Sequence, residues 1–257
     1  TNDTTGIIEY RVWNGVNWLA STSFTAPTTA RITWIEMSSH PASGSNQNEI
    51  GLCYATGGVA TDTGTMVGCA IWNGTTNTWG NTKLAEGDAD ENGAVTGTTK
   101  TMADFYEQSS GDFVVIWGPE HGGNNNTTAP EIVFITWDGS SWTATTGFDY
   151  NAANSDGAST IVCAPAPFSF NSLSVKNYAV CNTQHDVVND VSAFIWNGTT
   201  LSNLNRNTEA TNIVGDATIT VAATWILGTN PVALIAFGTG DGSGMDYDTW
   251  NAAGTSA

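Results

Sequence analysis

Positive charge is what this chain has least of. Its 257 residues hold 6 Lys and Arg against 24 Asp and Glu, a formal net charge of -18. Such a surface repels a phosphate backbone, which argues against nucleic-acid binding. Anionic membrane surfaces repel it too, whereas cations, calcium among them, are favoured. Charged residues of both signs reach only 12%, so solubility rests on Asn, Thr, Ser, Gly and the carboxylates. No apolar run approaches the roughly 20 residues of a membrane-spanning helix, so membrane insertion is not expected. Helix-period patterns are missing, as are Cys-x-x-Cys, Gly-x-Ser-x-Gly, His-Glu-x-x-His and a phosphate loop. Nothing demands an enzyme, and no catalytic set is assigned. Thr1 stands where an initiator Met would, which fits a mature chain after signal removal or an excerpt of a longer one.

What the chain does have is a repeat. Related segments stand at 10–18 (YRVWNGVNW), 70–79 (AIWNGTTNTW), 134–142 (FITWDGSSW) and 193–201 (AFIWNGTTL), with a worn copy, DYDTWNA, at 246–252. The leading tryptophans Trp13, Trp72, Trp137, Trp196 and Trp250 are 59, 65, 59 and 54 residues apart. Each motif reads as a hairpin, with turns near 13–18, 72–79, 137–142, 196–201 and 250–254. Asn or Asp followed by Gly supplies the positive backbone angles of a tight turn. Gly15, Gly74, Gly139 and Gly198 stand where a side chain would clash. A second aromatic, Trp18, Trp79 or Trp142, opens the return strand, and the two rings pack across it.

Two more strand-like runs separate successive hairpins. The first set is Arg31–Met37, Thr101–Glu107, Ser159–Ala164 and Thr218–Trp225. The second is Glu49–Tyr54, Asp112–Trp117, Asn177–Cys181 and Pro231–Phe237. Both are rich in Ile, Val and aromatics and are bounded by turn residues. The unit is thus four strands, A to D, with the Trp-Asn/Asp-Gly turn between C and D. Tandem four-stranded units are what β-propeller blades are. The expected fold is all-β: one propeller-like domain over 1–257, with about four to five blades. The chain opens on a C–D hairpin and closes on A, B and a weak C. Either the N-terminal hairpin completes a ring, or the array is incomplete and continues elsewhere.

The turn segment TWDGSSWT at 136–143 resembles the Asp-box hairpin of sialidase-like propellers, and is similar to the kelch pattern in which a Trp opens the last strand of a blade. The likeness covers four of the five turns. Asp is present only as Asp138; the other copies carry Asn14, Asn73 and Asn197. It implies propeller architecture of the kind found in secreted and surface proteins of microbes. A sialidase-like glycoside hydrolase is the catalytic alternative. Its three carboxylate-clamping arginines are matched in count by Arg11, Arg31 and Arg206, but these fall on different strand types. Arg31 with Glu36 or Asp104 would be the most central polar group.

Four cysteines pair closely in sequence, Cys53 with Cys69 and Cys163 with Cys181. Each pair falls on adjacent antiparallel strands of one blade, which suits two local disulfides in a secreted protein; four buried thiols are the alternative. Sequons occur at Asn2, Asn73, Asn125, Asn126 and Asn197. Asn73 and Asn197 sit in the repeated turn and are the glycosylation candidates.

Ligands of propellers usually meet the face shared by the D–A and B–C loops. One D–A loop, GDADENGAVTGTTK at 87–100, matches the start of an oxygen-ligand calcium loop. Asp88, Asp90 and Asn92 alternate toward one centre, and Thr96 adds a hydroxyl; a plain acidic turn is the other reading. GDGSGMDYD at 240–248 is a weaker metal candidate in a B–C loop. His121 and His185 follow their B strands at one offset, in equivalent B–C loops, and join Trp117 as candidate ligand contacts. His40 lies on the other face. Trp34 and Trp225, also outside the motif, are core or binding surface. The function expected is a secreted or cell-surface, non-catalytic propeller for adhesion, glycan or protein binding. Self-assembly through terminal strands is a further alternative.

Overall fold

A computed structural model describes residues 6–27, 32–41, 48–56, 66–87, 102–108, 110–118, 132–148, 158–166, 179–185, 191–207, 221–226, 231–238 and 245–251. They are all-β, with no helix among the described residues. Strands β1 (Ile7–Tyr10) and β2 (Thr22–Thr25) form a hairpin. The first four-stranded sheet holds β3 (Ile32–Ser39), β4 (Glu49–Thr56), β5 (Met66–Asn73) and β6 (Thr78–Gly87). The second holds β7 (Met102–Tyr106), β8 (Phe113–Trp117), β9 (Ile132–Trp137) and β10 (Thr146–Phe148). The third holds β11 (Ala158–Pro165), β12 (Ala179–His185), β13 (Val191–Trp196) and β14 (Leu201–Asn207). The last has three strands, β15 (Val221–Ile226), β16 (Val232–Gly238) and β17 (Met245–Asn251). All pairings are antiparallel between sequence neighbours, the meander of a propeller blade. The A–B–C–D phase expected from the tryptophan repeat holds from the first hairpin to β17.

Why the sheets stack is plain in β8. Phe113, Val115 and Trp117 join the cluster shared with the first sheet, while Val114 and Ile116 join the one shared with the third. A strand buried on both faces reads as a continuous apolar run, and FVVIW is one. Four such clusters lie between consecutive sheets, starting with Ile8, Ala26, Ile32, Leu52 and Tyr54 between the hairpin and the first sheet. Two C-strand tryptophans turn back into these seams. Trp137 donates its indole N–H to Glu49 Oε2 of the preceding sheet (3.1 Å), and Trp196 donates to Glu107 Oε2 (3.2 Å). Trp225, on the A strand β15, donates its indole N–H to the Ala164 carbonyl of the third sheet (3.0 Å).

The cysteines form two disulfides, Cys53–Cys69 and Cys163–Cys181. Each joins directly opposed residues of neighbouring strands. Their Cα atoms are 4.2 and 4.1 Å apart, the close spacing of non-hydrogen-bonded antiparallel pairs.

Two details differ from expectation. Gly15, Gly139 and Gly198 do adopt positive φ (94°, 88° and 92°), but Gly74 does not. The turn after Trp72 is two residues longer, and Asn77 takes the left-handed conformation there (φ 55°). Gly74 is needed for close approach instead: a Cβ would lie 2.7 Å from the Asn48 carbonyl oxygen. At Gly15 a Cβ would touch nothing, so conformation rather than collision selects the glycine. Trp18 and Trp142, moreover, form isolated bridges with Trp13 and Trp137, ahead of the return strands β2 and β10. Between bridge and strand the return side carries one residue more than its partner, the signature of a bulge.

The indole–carboxylate bond across a seam yields a stability prediction. Trp196→Phe keeps an aromatic ring, smaller than the indole, but deletes the donor to buried Glu107. A hydrogen bond to a charged group is worth about 1.5–3 kcal/mol. Chemical denaturation is expected to show a loss of that size, and a loss near zero would show that the bond contributes nothing net.

Candidate functional site

The turn that carries the repeat is an Asx turn. Asn14 Oδ1 accepts the backbone N–H of Val16 (2.9 Å) and of Asn17 (2.8 Å). Asn73 Oδ1 does the same for Thr75 and Thr76, Asp138 Oδ1 for Ser140 and Ser141, and Asn197 Oδ1 for Thr199 and Thr200, at 2.8–3.2 Å. Asp138 adds the hydroxyls of Ser140 and Ser141. These hydrogen bonds, Ser140's hydroxyl first, bring the Asp138 carboxyl down to about 2.

The turn projects a pair of aromatic rings. Trp13 and Trp18 lie 5.5 Å apart, Trp72 and Trp79 5.4 Å, and Trp137 and Trp142 5.5 Å. What differs is the cover. Trp137 is 3% exposed, against Glu49, and Trp142 donates its N–H to the Asn81 carbonyl of the preceding sheet (2.7 Å). Trp196 is 2% exposed. Trp72 and Trp79 meet Tyr10 edge-on at 5.5 and 5.9 Å. Trp13 and Trp18, by contrast, are 51% and 63% exposed, with Val16 and Leu19 exposed beside them. Along the same run, Glu9 and Arg11 occupy alternate positions with Trp13 and are also exposed. The equivalent positions on β9 carry Val133 and Ile135, which are buried. The first hairpin therefore presents a polar, solvated face with two aromatic rings on it. An indole pair beside an acid and a guanidinium can stack on an apolar ring face and hydrogen-bond the hydroxyls around it.

A second polar group lies inside the seam between the first and second sheets. His40 is buried beside Tyr106 at 5.0 Å, its Nδ1 2.6 Å from the Pro41 carbonyl oxygen. Burial raises the Glu49 carboxyl, partly offset by the Trp137 bond and by His40. Burial also raises Asp112, and pushes the Tyr106 phenol up, helped by Glu49 and Asp104. No group of three or more His, Cys, Asp or Glu that could hold a metal occurs among the described residues. This cluster lies in the seam between the two sheets.

Of the residues singled out in the sequence, Asp88, Asp90, Asn92, Thr96 and His121 lie outside the described residues, as do Arg31 and Asp241. His185 is not in a B–C loop. It ends β12, opposite Ala158, because the B strand runs on past a register shift. Asp246 and Asp248 likewise belong to β17 rather than to a loop. Trp117 is no binding surface: at 1% exposure it is locked in the seam with Val115 and Phe113. Trp225 is 9% exposed and Trp34 gives its N–H to Glu36 (3.1 Å). Asp104 accepts the Ser38 hydroxyl (2.6 Å). Glu36 and Asp104, the carboxylates considered with Arg31 for a hydrolase-like group, accept these bonds within and between sheets. Exposure of Trp13 and Trp18 was not legible, because their motif is the same as that of the buried copies.

No family model matches the chain, and no curated protein does either. Among solved structures it is similar to the SapL1 lectin in complex with alpha methyl fucoside, at 14% identity over 99% of this chain and 72% of that one, TM-score 0.45. It is also similar to a mutant of AofleA from Arthrobotrys oligospora, at 12% identity over 96% of this chain and 62% of that one, TM-score 0.48. A GH43 beta-1,3-galactosidase, BT0265, aligns at 10% identity over 80% of this chain and 42% of that one, TM-score 0.39.

The Asp138 turn has a pH signature. Its carboxyl titrates lower in the folded protein than the ordinary 3.8, so its contribution is full above about 4 and is lost as pH falls toward about 2. Asp138→Asn keeps the Asx acceptor without the charge. Urea midpoints measured from pH 5 down to pH 2 are expected to fall less steeply for this variant than for the parent. Parallel slopes would show that Asp138 plays no part in the acid response.

Proposed function

We propose that this chain is an extracellular, non-catalytic glycan-binding module, built as a β-propeller of four to five sheets, whose sugar platform is the Trp13–Trp18 hairpin. One observation carries the proposal: the repeated aromatic pair is sealed against the preceding sheet at Trp137 and uncovered at Trp13. Indole faces pack against the C–H face of a pyranose, and Arg11 and Glu9 supply hydrogen-bonding partners for its hydroxyls. The two disulfides support an oxidising, extracellular setting. The net charge of -18 supports a neutral or cation-assisted ligand over an anionic one. Calcium at Asp88, Asp90, Asn92 and Thr96 stays part of the proposal.

Calorimetric titration of a panel of mono- and oligosaccharides is expected to find a ligand. Its affinity should drop at least tenfold in Trp18→Ala, with an unchanged melting temperature because the ring is mostly exposed. Equal affinity in the variant, or no binding across a broad panel, would contradict the proposal. Chelation by EDTA is expected to lower the melting temperature, and an unshifted melt argues against a bound ion.

Self-assembly is a second reading, favoured by a separate feature. The last sheet leaves Ile226, Met245 and Tyr247 exposed at 49%, 83% and 66%. Apolar residues on an uncovered sheet invite another sheet. Light scattering at high concentration decides it: a strict monomer rules self-assembly out.

A further inference from the structure

We propose that Asn73 and Asn197 are N-glycan acceptors presented by the repeated Asx turn, and that Asn14, which has the turn without a sequon, stays unmodified. All three asparagines stand at the first position of an Asx turn and are followed by Gly, the Asn73 loop being two residues longer than the others. At Asn73 and Asn197 the residue after that is Thr, which completes a sequon; at Asn14 it is Val16. Asn197 and Asn14 thus form an internal control: turns of one length, with and without the hydroxyl.

The geometry favours the chemistry. In both sequons the N–H of the hydroxyl residue donates to the asparagine's own Oδ1, from Thr75 at 2.9 Å and from Thr199 at 3.0 Å. A second N–H, from Thr76 or Thr200, reaches the same oxygen. Two donors on the carboxamide oxygen draw electron density from the amide and make its N–H more acidic. Nδ2, the atom that must react, makes no hydrogen bond among the described residues at either site. Asn73 is exposed, as are Thr75 and Thr199.

Asp138 shows that the turn does not need that nitrogen. An oxygen stands in its place there, and the Oδ1 bonds to Ser140 and Ser141 are unchanged at 2.8 Å each. A substituent on Nδ2 therefore leaves the turn intact, as does conversion of Asn to Asp. The reaction needs a glycosyl donor with a diphosphate leaving group, such as a polyprenyl-diphosphate oligosaccharide, and a transferase. Nδ2 loses one proton to a base of the transferase and bonds to the anomeric carbon. The bond from that carbon to the diphosphate oxygen breaks, and the diphosphate departs with its electron pair.

The test is secretion of the full chain from an N-glycosylating eukaryotic host, followed by peptide:N-glycanase digestion in heavy-oxygen water and peptide mapping. Heavy-labelled aspartate is expected at positions 73 and 197, and plain asparagine at 14. The released protein, now carrying Asp at both sites, should melt where a Thr75→Ala/Thr199→Ala variant does. Label at neither site or at only one overturns the proposal. Val16→Thr then completes a sequon inside the first turn and is expected to add label at position 14. A Val16→Thr protein that keeps its circular dichroism spectrum yet gains no label overturns the role of the turn.

Discussion

A carboxamide or carboxylate oxygen folded back onto two backbone N–H groups is the fixed point of this molecule. Asn14, Asn73, Asp138 and Asn197 each supply it. Asn and Asp bend the chain this way because a short side chain reaches the N–H groups two and three residues on. The turn fixes where the C strand ends, and so aims the preceding tryptophan at the sheet before it. Sheet stacking follows from that aim. Trp137 reaches Glu49 and Trp196 reaches Glu107, each bringing a large apolar ring and a single polar atom into the same seam. The ring excludes water from the carboxylate, and the carboxylate satisfies the indole donor that burial would otherwise strand.

The acidic composition takes on a structural meaning in this light. A chain with so few cations has little opportunity to pair its buried carboxylates with Lys or Arg. Neutral donors reach several of these carboxylates: indole N–H at Glu49 and Glu107, indole again at Glu36, and a serine hydroxyl at Asp104. Burial raises Glu49 and Asp112, the expected direction for carboxylates held mainly by neutral partners.

Strand phase was legible in the sequence because the Trp-Asn/Asp-Gly motif marks one corner of every unit, and the runs between motifs had strand character. Cysteine pairing was legible for the same reason: once strands B and C were placed, Cys53 and Cys69 fell opposite one another. The acceptor carboxylates were not. Glu49 opens β4, whereas Glu107 follows β7, and although they precede their tryptophans by 88 and 89 residues, neither lies in the motif that marks the repeat. Gly74 misled because its dipeptide matches the other turns while its loop is longer. Trp117 misled because it stands outside the motif, yet in a two-sided strand every position is core. Exposure of the Trp13–Trp18 pair is a property of neighbours in space, and the motif's sequence holds no trace of it.

The same aromatic pair is scaffold where a sheet covers it, and where none does it is the recognition surface proposed above. Indole N–H resonances test this claim most directly, since each of the eleven tryptophans contributes one. During titration with a bound saccharide, the resonances of Trp13 and Trp18 are predicted to shift, while those of Trp117, Trp137 and Trp196 stay in place. Shifts centred on any other tryptophan, with Trp13 and Trp18 unmoved, would contradict the account.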